Sequence, residues 1–78
     1  MRDIEYAALA VRRQIVDKFG AQHDLSTLTV VAGENSILVE DGEQRIEGTR
    51  DNLLAGLRGS SSYREFFQTS HRERVKAQ

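Results

Sequence analysis

Glu40, Asp41 and Glu43 stand within four residues of one another around Gly42, the densest grouping of acidic side chains in the chain. Two carboxylates so close can divide general acid and general base work between them, provided burial or a charged neighbour drives their pKa values apart. On a short turn facing water neither condition holds. Ordinary pKa values are expected there, and with them little gain in acid-base catalysis. His23 next to Asp24 is the second grouping with chemical potential, yet a metal site or a catalytic dyad needs a third partner that this part of the sequence does not supply. His71 is far away in sequence and lacks an orienting neighbour. The chain has no cysteine, which excludes disulfide staples and thiolate metal ligation. Phosphate-binding and dinucleotide-binding glycine loops, the two-histidine zinc motif and the nucleophile elbow are all missing. The sequence therefore predicts no enzyme, no catalytic residue, no cofactor and no metal.

The elements that must carry these residues are legible from the pattern around them. Asp41-Gly42 lies between two alternating runs and reads as the two-residue loop of a type I′ hairpin, where both central residues need positive φ. That loop sets Glu40 opposite Glu43, Val39 opposite Gln44, Leu38 opposite Arg45 and Ile37 opposite Ile46. An earlier run, residues 28–32, joins through Gly33-Glu34-Asn35-Ser36. A four-residue loop there pairs Ala32 with Ile37 and Val30 with Val39. Leu28, Val30, Ala32, Ile37, Val39 and Ile46 then share one face, while Thr29, Val31, Ser36, Leu38, Glu40, Glu43, Arg45 and Glu47 share the other. One face of this sheet needs covering.

Residues 3–19 supply the cover. Ile4, Ala8, Val11, Ile15 and Phe19 recur at helical spacing, with Leu9 and Val16 widening the stripe on one side. Asp3 is expected to cap this helix, and Gly20 to close it in a left-handed conformation. Tyr6, Arg13, Gln14 and Asp17 fall on its solvent side. After the sheet, Thr49 reads as the N-cap of a short helix carrying Leu53, Leu54 and Leu57 and ending at Gly59, with Gly56 as a weak point. Ser62 and Glu65 have capping-box spacing and open a last helix anchored by Tyr63, Phe66 and Phe67. The expected fold is α+β, in the order α-β-β-β-α(-α): an N-terminal helix packed on a three-stranded antiparallel meander, a short helix, then a C-terminal helix. Residues 1–70 form one domain in this reading, and residues 71–78 a basic, flexible tail.

This order of elements is shared with double-stranded-RNA-binding domains, whose last helix opens on lysines that reach phosphates. Thr49-Arg50-Asp51-Asn52 carries no such lysines. The succession of helix, tight hairpin and helix also resembles, in arrangement alone, the small head-completion proteins of lambdoid phages.

At 78 residues the chain can bury one small core and is marginally stable by size, so oligomerisation, a homodimer included, is one expected arrangement. Its 29% charged residues balance to a net charge of -1, but they are unevenly placed. Glu34, Glu40, Asp41, Glu43 and Glu47 oppose Arg45 alone in and around the hairpin. Arg64, Arg72, Arg74 and Lys76 outnumber Glu65 and Glu73 toward the end. No apolar run reaches the ~18 residues of a membrane span, and the acidic start does not read as a secretion signal, so a cytoplasmic protein without a membrane partner is expected. The function these features predict is a small protein-protein interaction module. It would be an accessory or inhibitor protein docking on a larger protein or protein–nucleic acid assembly, of the kind found in phages and mobile elements. Its contact residues would be Glu40, Asp41 and Glu43 on the hairpin, or Tyr63, Phe66 and Phe67 on the last helix. Nucleic-acid binding through Arg64, Arg72, Arg74 and Lys76 is the alternative, disfavoured because phosphate contacts call for a broad basic field.

Overall fold

The computed structural model describes residues 2–69. Helix α1 (Asp3–Phe19) leads into strands β1 (Thr29–Ala32), β2 (Ile37–Asp41) and β3 (Gln44–Gly48), followed by helix α2 (Arg50–Gly59). A further helical stretch, α3, covers residues 63–69. The three strands form one antiparallel sheet in the order β1-β2-β3, so both outer strands are edges. This is the α+β arrangement expected from the sequence.

The core is the meeting of α1's stripe with the inner face of the sheet. Ala8, Val11, Ile15 and Phe19 are buried against Leu28, Ile37, Val39 and Ile46, while Leu53 and Leu57 of α2 and Tyr63, Phe66 and Phe67 of α3 close the remaining side. Strand alternation does the sorting: Ile37 and Val39 are fully buried, while Leu38 between them is only half-buried. Val30 pairs with Val39 and Ala32 with Ile37, as the four-residue loop requires.

The second hairpin differs from expectation. Asp41 pairs with Gln44, Glu40 with Arg45, Val39 with Ile46 and Leu38 with Glu47, so the loop is Gly42-Glu43. Gly42 has φ 64°, and no non-glycine residue in the described chain has positive φ. This matches a type II′ turn, which asks for positive φ only at its first central position and lets Glu43 keep an ordinary backbone. The expected Glu40–Glu43 opposition is therefore replaced by Glu40 opposite Arg45. Because the register moved by two residues, every side chain kept its face.

The helix ends also differ in detail. Arg2, not Asp3, stands at the N-cap of α1, and the Glu5 carboxylate accepts from the Arg2 N–H at 3.4 Å. Gly20 is right-handed, at φ -60° and ψ -28°, because the chain leaves α1 through turns in which the Gln22 and His23 N–H groups donate to the Phe19 carbonyl, each at 3.0 Å. Thr49 caps α2 by accepting from the Asn52 N–H at 3.2 Å, and Ser62 caps α3 by accepting from the Glu65 N–H at 3.1 Å. The Glu65 carboxylate accepts from the Ser61 hydroxyl at 2.9 Å. Gly56 allows α2 and α3 to touch: a Cβ there would lie 2.7 Å from Thr69 Oγ1. In the same last turn of α2, Lys18 of α1 donates from its ammonium to the Leu57 carbonyl, which joins the two helices where α2 runs out of internal donors.

Candidate interaction surface

The two groups of contact residues expected from the sequence are positioned very differently. Tyr63, Phe66 and Phe67 lie on α3 and are all buried, with Phe66 wholly enclosed. Their rings pack edge to face, Tyr63 with Phe67 at 5.1 Å and Phe66 with Phe67 at 5.3 Å between centroids, and Phe19 meets Tyr63 at 5.4 Å. Such pairs add to simple area burial because ring edges are positive and faces negative. These aromatics complete the core and present no face to a partner.

Asp41 also has an internal job. As the last residue of β2 it alternates with Ile37 and Val39, which aims its carboxylate along the inner face toward α3. Oδ1 accepts from the Thr27 hydroxyl at 2.5 Å and Oδ2 from the Tyr63 hydroxyl at 2.7 Å. The bond from Thr27, then that from Tyr63, holds the Asp41 carboxyl below its usual pKa, against a smaller opposing effect of burial. Tyr63 is pushed above the ordinary phenol range, first by burial and then by the bond to Asp41 and its charge. His23 lies against this pair, 5.2 Å from the Tyr63 ring and 6.2 Å from Phe19. The arrangement is a clasp between hairpin and last helix. A tyrosine made less acidic and an aspartate made more acidic are poorly suited to exchange a proton near neutrality.

Glu40 and Glu43 remain at the hairpin, Glu43 exposed at the turn and Glu40 half-buried across from Arg45. Of the three carboxylates at the tip, Glu43 alone is exposed, while Glu40 and Asp41 are half-buried. Arg64 is exposed on α3, and Arg72, Arg74 and Lys76 lie outside the described residues. No group of three or more metal-ligating side chains gathers among the described residues. No described helix is long and apolar enough to cross a membrane.

A surface that sequence reasoning passed over lies at the opposite edge of the sheet. Leu9 and Val16, expected to widen the buried stripe of α1, are 55% and 42% exposed. Three strands are too few to extend beneath them: β1 is the edge, and its inner-face residues Val30 and Ala32 are only partly buried. An open groove lined by Glu5, Ala8, Leu9, Val30 and Ala32 runs between helix and strand. On the other face of the same strand, Val31 is 53% exposed beside half-buried Leu38. The strand itself, Thr29-Val30-Val31-Ala32, carries no charge. Its signal in the sequence was an uncharged, β-branched run assigned to an end position in the sheet, a combination that leaves backbone groups open for pairing.

Compared with protein-family models, curated proteins and solved structures, the chain matches none.

Proposed function

We propose that this chain is a non-enzymatic protein-protein interaction module that binds another polypeptide along β1 and the adjoining flank of α1. One observation carries the reading. With the α3 aromatics in the core and Asp41 in the clasp, the large apolar side chains left exposed include Leu9 and Val31, which flank a strand with an open edge and no charge. An edge of this kind binds by adding a strand: main-chain hydrogen bonds supply affinity and the flanking side chains supply selectivity. An accessory or inhibitory role within a larger assembly suits a domain of this size, whose core leaves little room for a reaction pocket.

A photo-crosslinking amino acid at Leu9 or Val31, expressed in the source cell, tests this. Adducts with a protein chain are expected at both positions and not at Glu43. Adducts at Glu43 alone would move the contact to the acidic turn. Adducts with nucleic acid from a crosslinker at Arg64 of α3, formed in low salt and not in high salt, would favour the phosphate-binding alternative instead.

A further inference from the structure

We propose that the occupant of this edge is a second copy of the same chain, joined through an antiparallel β1–β1 pair about a twofold axis so that the two sheets become one. This rests on the reading of β1 as an interaction edge and names its partner.

The main chain sets the register. The Gly33 N–H donates to the Ser36 carbonyl at 2.8 Å, which makes that pair a hydrogen-bonded one. Bonded and non-bonded pairs alternate along an antiparallel ladder, so Val31 with Leu38 and Thr29 with Glu40 are the next bonded pairs. Val30 and Ala32 consequently turn their N–H and C=O groups to the open edge. A reversed copy satisfies these groups when its Ala32 faces Val30 and its Val30 faces Ala32. The twofold axis then passes through Val31, which stands opposite Val31 of the second copy in a non-bonded pair, where side chains approach most closely.

The same rotation matches the side chains on both faces. On the outer face it lines up Leu38, Val31, Val31 and Leu38 across the joined sheet and covers the exposed valine. On the helical side it sets the two α1 flanks antiparallel. Glu5, Leu9, Arg12 and Val16 follow at intervals of four, three and four residues and form one narrow stripe, acidic toward its start and basic toward its middle. Reversed against itself, this stripe places Glu5 beside Arg12 of the other copy with the two Leu9 residues near the axis. A foreign strand would need only the main chain of β1. Here the strand register, the valine row and the charge order of α1 are all met by one twofold operation, the mark of an isologous interface. A small domain with a thin core also gains from extending it this way.

The test uses the full purified chain. Sedimentation equilibrium of the parent is expected to show a dimer, and Val31→Lys a monomer with unchanged circular dichroism. Because the chain has no cysteine, Val31→Cys gives a clean second readout. Its sulfur atoms meet across a non-bonded pair, so it is expected to oxidise to a linked dimer at least roughly tenfold faster than Glu43→Cys at equal concentration. A parent that stays monomeric up to about 1 mM overturns the second copy as occupant, since that bounds the interface at millimolar affinity or weaker. In that case, adducts at Leu9 and Val31 with a different protein would still uphold the interaction reading. A parent dimer in which Val31→Cys links no faster than Glu43→Cys places the dimer contact elsewhere and also overturns the proposal.

Discussion

The two edges of this small sheet are built on opposite principles. The β3 edge is charged along its outer face by Arg45 and Glu47, ends beside the exposed Glu43, and runs through Gly48 straight into α2. The β1 strand holds no charge and is bordered by Val31 on one face and by Leu9 on the other. Charged side chains on an edge deter pairing with another chain, and an uncharged β-branched edge invites it. A sequence under pressure only for solubility would protect both. Under the proposed function the asymmetry separates an edge that pairs, β1, from one that is shielded, β3.

The largest test of this comparison is to remove the strand that holds the edges apart. Val39 is wholly buried at the centre of β2. Val39→Asp should unfold the domain, because an unpaired buried carboxylate costs several kcal/mol against a total stability of about 5–15 kcal/mol. Leu38→Asp, on the half-buried outer face, should leave a cooperative thermal transition. The reverse ranking would mean that the faces of the sheet have been exchanged.

A smaller effect should follow from opening the clasp. Tyr63→Phe keeps the ring and removes the hydrogen bond to Asp41, with an expected loss of about 1–2 kcal/mol at neutral pH in denaturant unfolding. The pH dependence has a definite sign. Asp41 has a lowered pKa when folded, so its contribution is present above the unfolded value of about 3.9 and disappears as pH falls through the folded value. Tyr63 has a raised pKa, so its contribution is present below about 10 and is lost as pH climbs through the folded value. The difference between parent and Tyr63→Phe should therefore shrink in acid. A difference that stays constant down to about pH 2 would show that the bond does not act through an ionised Asp41.

The smallest effects on stability should come at the edges. Measured at dilutions where the chain is monomeric, Val31→Lys and Glu43→Lys should each change unfolding free energy by about 0.5 kcal/mol or less, as expected for exposed positions. Only Val31→Lys should change the association state. Equal loss of association from both would make charge, not the open strand, the basis of self-recognition.

The parts of this molecule that could be read from sequence are those fixed by alternation and helical period. Ile37, Val39 and Ile46 on one face, and Ala8, Val11, Ile15 and Phe19 on one stripe, are buried as their spacing demands. Turn identity was less legible, because Asp41-Gly42 and Gly42-Glu43 both place the glycine at a central position and a two-residue shift leaves every face unchanged. The charges held the missing clue, since only one of the two registers sets Glu40 against Arg45. Asp41's role could have been found from its parity with Ile37 and Val39 once it was counted as strand. The burial of Tyr63, Phe66 and Phe67 was not legible, because it depends on how closely α3 approaches α2 at Gly56, a distance no local pattern encodes. The exposure of Leu9 and Val16 likewise depends on where the sheet stops.

Amide hydrogen exchange at Val30 and Ala32, followed as a function of protein concentration, tests the central claim most directly. Both N–H groups face the open edge in an isolated chain and become bonded when a second β1 strand joins. Their protection should rise with concentration, by roughly tenfold or more across the association range, while the Arg45 amide on the opposite edge stays unchanged. Fast exchange at Val30 and Ala32 at every concentration, or an equal rise at Arg45, would contradict the account.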